Sequence, residues 1–229
     1  MDGESATKKI KLSNLNKGQK YEEYIYNLLE ERGIKIPLFL AGNDAGFRHK
    51  GVDYYVEVKN RNAPDYGQKG LVWDKTNKWK WREQDSISKM FDDIGVIEMI
   101  DKSFEPKLYT VANEALTTTD KYSDMTTFEK SKISLTGASY LYDFYARRKC
   151  YYIQIETKGF YYLQKDIANL GVPQFAPDLT LRLRAKTHHS LPIHAYSFFA
   201  VIQANKRSIG KTDFDLEEKG GRKFPPIEA

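Results

Sequence analysis

The sequence has one cysteine, Cys150, in 229 residues. A single cysteine can form neither an intrachain disulfide nor a cysteine-based zinc site. Histidine is also scarce. Apart from the adjacent pair His188 and His189, whose side chains diverge on a strand, the four histidines do not cluster at ligand spacing. This pattern excludes a disulfide-stabilised scaffold and a zinc site built on cysteines.

Long apolar segments are missing as well. No run of apolar residues approaches the roughly 18 that a membrane-spanning helix needs. Residues 1–12 lack the apolar centre of a signal peptide. Together with the lone cysteine, these absences predict a cytoplasmic protein that has no membrane partner.

Charged residues are abundant and slightly unbalanced in sign. Lysine and arginine number 36 against 31 aspartates and glutamates, which gives a net charge of +5. This balance is compatible with a polyanionic partner but does not require one. The hydrophobic fraction of 41% is typical of a globular protein. We expect a flexible tail over 1–12, a single domain over 13–204 and a C-terminal loop or tail over 205–229.

The segment 43–60, N-D-A-G-F-R-H-K-G-V-D-Y-Y-V-E-V-K-N, combines acids, a lysine, a turn signal and a strand signal. Valine and tyrosine between Val52 and Lys59 predict a half-buried strand. Glu57 and Lys59 are two residues apart, so their side chains leave this strand from the same face. The segment therefore predicts a carboxylate and an ammonium group fixed side by side.

A second carboxylate can come from Asp44 or from Asp53. If Lys50 and Gly51 form a two-residue hairpin turn, the register places Asp44 opposite Glu57, with Cβ atoms about 5 Å apart. A slip of one residue would put these two side chains on opposite faces. Asp53 shares the face of Glu57 but lies roughly 13 Å along the strand. The site would be rebuilt around Asp53 only if Asp44 does not face Glu57.

Upstream of this segment, residues 18–32 predict a helix whose apolar face carries four residues at helical spacing: Tyr21, Ile25, Leu28 and Leu29. Glu22 borders that face. An acid in such a position is either a solvated surface residue or a member of a neighbouring site, and both interpretations stay open.

Asp44, Glu57 and Lys59, with Glu22 on the preceding helix, resemble the core pattern of the PD-(D/E)XK nuclease superfamily, and within it a type II restriction endonuclease. That pattern is an acid, a short hairpin and then acid-x-lysine at a strand end, often with a glutamate on the helix before the hairpin. The similarity covers residues 18–60, about a fifth of the chain. The proline that often precedes the first acid is missing.

The resemblance implies an α/β, restriction-endonuclease-like fold, a mixed β-sheet core flanked by helices, and makes 13–204 a nuclease domain. It implies that Asp44, Glu57 and Lys59 are catalytic. It also implies that Mg²⁺ is held by Asp44, Glu57 and the backbone carbonyl of Val58, with Glu22 joining directly or through water. The chemistry agrees, since Mg²⁺ prefers oxygen ligands. A lysine beside the scissile phosphate can orient or help deprotonate the attacking water.

One stretch that predicts DNA contact is L-T-L-R-L-R-A-K-T-H-H at 179–189. Arg182, Arg184 and Lys186 alternate with apolar residues, so the three cations share one face of a strand. Such a row can follow phosphates or reach guanine edges, and His188 extends it. A solvated face of an antiparallel sheet is the structural alternative.

A second stretch, at 73–82, interleaves tryptophan with Lys78, Lys80 and Arg82. Rings and cations in this order can lie against a phosphate backbone. The alternative is a strand whose tryptophans are core and whose lysines are solvated.

These observations predict a Mg²⁺-dependent endonuclease that hydrolyses double-stranded DNA at a specific sequence, as a type II restriction enzyme does. We expect a homodimer, because a two-fold dimer cuts both strands of a palindrome most simply. One alternative is a structure-specific repair or recombination nuclease of the same superfamily. Another is a DNA-binding protein without hydrolysis, in which Glu57 and Lys59 form a structural pair.

Overall fold

The computed structural model describes residues 15–38, 43–61, 65–74, 78–105, 119, 132–134, 139–187 and 196–228. The tail expected over 1–12 lies outside them. The helices are α1 (Lys17–Glu31), α2 (Ser86–Asp93), α3 (Val96–Ser103) and α4 (Ser139–Arg147). The strands are β1 (Ala45–His49), β2 (Val52–Lys59), β3 (Asp65–Asp74), β4 (Lys78–Trp81), β5 (Lys132–Ser134), β6 (Cys150–Ile155), β7 (Gly159–Tyr162), β8 (Leu179–Thr187) and β9 (Tyr196–Ala204). Across the described ranges, no helix has the length and apolar character that crossing a membrane requires.

The chain divides into two compact units, and the single domain expected over 13–204 includes parts of both. Unit 1 comprises Met1–Ala63, Lys149–Pro173 and Lys211–Ala229, and unit 2 comprises Pro64–Arg148 and Gln174–Gly210. The backbone passes between the units four times. For this reason no single change of composition along the sequence marks a boundary.

Unit 1 contains a four-stranded mixed sheet in the order β1-β2-β6-β7. The pairs β1–β2 and β6–β7 are antiparallel, and β2–β6 is parallel. Helix α1 buries Tyr21, Ile25 and Leu29 in the core of this unit, together with apolar residues of the sheet such as Phe47 and Val56. The helix expected at 18–32 and the strand expected at 52–59 are both confirmed.

The C-terminal residues from Lys211 onward belong to unit 1, whereas 205–210 belong to unit 2. Their backbone is irregular apart from a short 3-10 helix, Lys219–Gly221, in keeping with the expected loop. They nevertheless contribute Leu216 to the core. The buried amide of Gln154 donates to Asp215 Oδ1 at 2.7 Å and to the Tyr21 hydroxyl at 3.1 Å, which ties this segment to β6 and α1.

Unit 2 contains a five-stranded sheet in the order β4-β3-β9-β8-β5, with every pair antiparallel. Helix α2 contacts β3 and α4, and α3 contacts β4. The sequence pattern from 85 to 101 predicts one helix, but the structure has two. Gly95, at φ 77°, lies between them, and this left-handed conformation interrupts the helix.

Candidate catalytic cluster and nucleic-acid interface

The hairpin β1–β2 has the register that the sequence predicts. Lys50 and Gly51 form its turn with positive φ angles of 49° and 78°, the conformation of a two-residue type I′ turn. His49 pairs with Val52, and the antiparallel pairing continues without a slip to Ala45 and Val56. One further step in this register sets Asp44 opposite Glu57, as expected.

Three side chains meet at the end of this hairpin. The amide N–H of Val58 donates to Asp44 Oδ2 at 2.9 Å, which fixes the carboxylate against β2. Lys59 Nζ forms an ion pair with Glu57 Oε1. Glu57 is only 5% exposed, and the Lys59 side chain is 19% exposed. The predicted acid–lysine pair is therefore present, largely desolvated and next to a second carboxylate.

Burial raises the pKa of Asp44 to about 7, with a further contribution from the negative charge of Glu57. Burial also raises the pKa of Glu22, which interacts with both Lys59 and Glu57. For Lys59, burial favours the neutral amine, but attraction to Glu57 and Asp44 outweighs it and raises the pKa. The lysine is thus held as an ammonium ion among three carboxylates.

Asp53, the other candidate for the second acid, lies near the turn of the hairpin. It pairs with Arg48 through two hydrogen bonds, from Nε at 2.7 Å and from Nη2 at 3.2 Å. The Arg48 guanidinium lowers the pKa of this carboxyl group. The structure therefore brings Asp44, and not Asp53, to Glu57 and Lys59.

The donor set of the cluster fits Mg²⁺ in its chemistry. Asp44 and Glu57 supply carboxylate oxygens from adjacent strand positions, and the pKa of Asp44 is raised partly by repulsion that a cation would relieve. Within the described part of the chain, no three Asp, Glu, His or Cys side chains converge closely enough to hold one metal ion. Contact with the metal ion through a bridging water therefore suits Glu22 better than direct ligation of the metal ion does.

Strand β8 alternates as the sequence predicts. Leu181, Leu183 and Ala185 are buried, while Arg182 and Arg184, which alternate with them, are partly exposed on the opposite face of the strand. The side chain of Lys186, and all of His188, lie outside the described residues.

Strand β4 shows whether its tryptophans lie in the core or on the surface. Trp79 and Trp81 are buried, and Trp79 Nε1 donates to the carbonyl of Phe104 at 2.9 Å. Lys78 and Lys80 are exposed, as is Arg82 just after the strand. The rings of Trp79 and Trp81 therefore belong to the core and cannot stack on bases, whereas the cations face solvent.

Strand pairing places the cations of β4 and β8 on one face of the unit 2 sheet. Directly opposed residues of antiparallel strands point to the same side. Gly70 of β3 pairs with Phe199 of β9, which pairs with Arg184 of β8. Arg82 lies beside Gly70, because its amide N–H donates to the Gly70 carbonyl at 2.9 Å. These four residues therefore form one row across the sheet, with their side chains on the same face, in the order Arg82, Gly70, Phe199 and Arg184.

The rows on either side of this one add one described cation each. Lys80 pairs with Val72, two residues from Gly70 and on the same face. Arg182 pairs with Val201, two residues from Phe199. We call this surface the cationic face; its cations with described side chains are Lys78, Lys80, Arg82, Arg182 and Arg184. Its two columns of cations, on β4 and β8, are three inter-strand spacings apart, about 14 Å.

Comparison of the chain with protein-family models, with curated proteins and with solved structures gives no match in any of the three. The case for a function therefore depends on the two sets of residues described above.

Proposed function

We propose that this chain is a Mg²⁺-dependent endonuclease that hydrolyses phosphodiester bonds of double-stranded DNA at a specific sequence, in the manner of a type II restriction enzyme. The observation that carries the proposal is the register of the β1–β2 hairpin, which sets Asp44 opposite Glu57 with Lys59 beside them. The resemblance implies a mixed sheet flanked by helices, and the mixed sheet of unit 1 is compatible with that expectation.

In this proposal Asp44, Glu57 and the carbonyl of Val58 hold the metal ion. Bound Mg²⁺ supplies Lewis acidity, which lowers the pKa of a coordinated water and offsets charge on the phosphate oxygens. Val58 orients Asp44 through its amide N–H, and Glu22 contacts the site through water.

Lys59 acts as a cation in the same scheme. Because the pKa of Lys59 is raised, its side chain is an ammonium group at neutral pH and is not available to accept a proton. It donates hydrogen bonds that orient the attacking water, and it stabilises negative charge that develops on the phosphorane-like transition state.

The cationic face of unit 2 supplies DNA contacts. Its two columns of cations, about 14 Å apart, match in scale the roughly 12 Å width of a DNA major groove, whose edges carry the phosphates. Arg182 and Arg184 on one column, with Lys80 and Arg82 on the other, can therefore contact phosphates of both strands. We assign Lys186 and His188 to the same surface from the sequence alone.

A homodimer and a cytoplasmic location, both expected from the sequence, belong to this proposal.

The direct test is to incubate a fully sequenced plasmid with the protein and Mg²⁺. Discrete fragments whose ends share one sequence support a restriction enzyme. Cleavage confined to branched or damaged DNA would instead indicate a structure-specific nuclease.

A DNA-binding protein without hydrolysis is the second candidate, favoured by one observation. The cationic face is built entirely from unit 2, whereas the carboxylates lie in unit 1, so DNA contact does not need the carboxylates. DNA binding without cleavage, unchanged in Lys59→Ala, would favour this candidate.

A further inference from the structure

A polar cleft of about 440 Å³ lies within unit 1, lined by residues of three chain segments. Helix α1 contributes Lys17 and Lys20, the chain just after β2 contributes Arg61, and the C-terminal segment contributes Lys219. Two carboxylates also line it, those of Glu156 and Glu217. With four cations and two acids, the charged lining of the cleft is net positive by two.

Both carboxylates of the cleft already have partners. Glu156 accepts a hydrogen bond from the amide N–H of Arg61 at 3.0 Å. Glu217 pairs with Lys219 Nζ and accepts from the Tyr21 hydroxyl at 2.8 Å. Within the described residues, no ion pair engages Lys17, Lys20 or the Arg61 guanidinium. The cleft therefore retains positive charge that suits an anion.

The stability of α1 does not account for the two lysines. Positive charge in the first turn of a helix is unfavourable, because the N-terminus of the helix carries a partial positive charge. Asn16 and Gln19 already form a capping box there, so the lysines have no capping role. A bound anion explains the positions of the two lysines more simply than the stability of the helix does.

The cleft adjoins the catalytic cluster. Asn60, another residue of its wall, directly follows Lys59, and Arg61 is the next residue. Two residues of backbone span at most about 7 Å. On α1, a Cβ atom at Gly18 would lie 3.6 Å from Asn60 Nδ2 and 3.8 Å from Glu22 Oε1. Glu22 of the cluster and Asn60 of the cleft thus approach the same point of the helix.

We propose that this cleft binds a backbone phosphate of the cleaved DNA strand, one or two nucleotides from the scissile phosphate. Successive phosphates of one strand rise by about 3.4 Å along the duplex axis, so such a phosphate is within reach of Lys17, Lys20 and Arg61. These residues are positioning residues that hold the strand for the Lys59 cluster. The inference rests on the proposed nuclease function.

Salt-dependent binding tests the cleft separately from cleavage. The probe is a fluorescein-labelled 20-base-pair duplex of random sequence, titrated with protein in EDTA at several salt concentrations. Each lost phosphate contact reduces the slope of log K against log salt by about 1. The cleft holds one phosphate, so Lys17→Ala/Lys20→Ala should reduce the slope by about 1 and weaken binding at every salt concentration. Arg61→Ala should weaken binding in the same way and reduce the slope by no more than about 1. Lys165→Ala, an exposed lysine of unit 1 outside the cleft, should leave it unchanged.

The possible outcomes distinguish a failure of the cleft proposal from a failure of the proposed nuclease function. Slopes that fall as expected support the cleft even if the wild-type protein cuts no plasmid, which would overturn only the proposed function. Wild-type slopes in both cleft variants, whose melting temperatures match that of the wild type, would overturn the cleft and leave the nuclease intact. Displacement of the duplex by an equimolar deoxymononucleotide would identify a mononucleotide site and contradict the proposal. A wild-type protein that binds no duplex would overturn the cleft, while plasmid digestion with Mg²⁺ would still decide the nuclease.

Discussion

Asp44 is a partly buried carboxylate opposite a second one, and its pKa of about 7 makes stability depend on pH. The unfolded chain has an aspartate pKa near 3.9, so between these values the folded state binds the proton more tightly. The stabilisation from this proton is complete below about pH 4 and is lost as the pH rises through 7. We predict that the metal-free protein loses stability between about pH 4 and 7 and that Asp44→Asn flattens this loss.

Urea unfolding in EDTA at a series of pH values measures this effect. Asp53→Asn is the matched control, because Asp53 belongs to an exposed pair with Arg48, and such pairs contribute about 1 kcal/mol or less. An unchanged pH profile in Asp44→Asn would contradict the assignment of the titration to Asp44.

Metal binding by Asp44 and Glu57 is also testable at the scale of single residues. A ligand that binds only the folded state at 100 times its Kd stabilises it by about 2.7 kcal/mol. For a chain of this length that corresponds to a rise in Tm of roughly 5–10 °C. We predict such a rise with Mg²⁺ at pH 8 for the wild type and for Asp53→Ala, and none for Asp44→Ala. Thermal unfolding with and without Mg²⁺ gives the comparison, and an equal rise in all three proteins would place the metal elsewhere.

At the scale of elements, the turn of the β1–β2 hairpin fixes the register on which the cluster depends. Gly51 and Gly210 both have open space around a Cβ atom, but only Gly51 has a positive φ. Gly51→Ala should cost about 1–2 kcal/mol, because an L-residue is strained in that region. Gly210→Ala should be neutral or stabilising by up to about 1 kcal/mol, because it restricts the unfolded chain. Equal effects in chemical denaturation would show that φ at Gly51 does not constrain the turn.

The sequence predicts this hairpin well because its information is local. A Lys-Gly turn, alternating side chains and a period of two residues are sufficient to set Asp44 against Glu57. The sequence contains a second Glu-x-Lys pattern at Glu156–Lys158, in which Lys158-Gly159 predicts a turn between two strands. The structure places these residues in the turn between β6 and β7.

Other parts of the molecule depend on contacts between distant segments, which the sequence does not reveal. The parallel pairing of β2 with β6 joins positions about 95 residues apart, such as Val58 and Gln154. The cleft brings Lys17 close to Arg61 and Lys219. The tryptophans at 79 and 81 are ambiguous in sequence, because alternation alone does not tell which face of a strand is buried.

At the scale of the whole molecule, the two units are expected to carry separable parts of the function. Arg184→Ala removes a cation from the cationic face and should weaken duplex binding, with a salt slope reduced by about 1. It should not change the Mg²⁺-induced rise in Tm, because the metal ligands lie in unit 1. Arg207→Ala, an exposed arginine on a loop of the same unit, is the matched control. Fluorescence anisotropy measures binding, and equal loss in both variants would contradict a specific role for the face.

Plasmid cleavage by four proteins, the wild type, Asp44→Ala, Asp53→Ala and Lys59→Ala, tests the central claim most directly. With Mg²⁺, wild type and Asp53→Ala should give the same discrete fragments at similar rates. Lys59→Ala should lose about 10²–10⁴-fold in rate, the usual contribution of a positioned catalytic group, and Asp44→Ala should lose at least about 100-fold. A wild-type protein that leaves DNA intact, or an Asp44→Ala variant that cuts at the wild-type rate, would contradict the account.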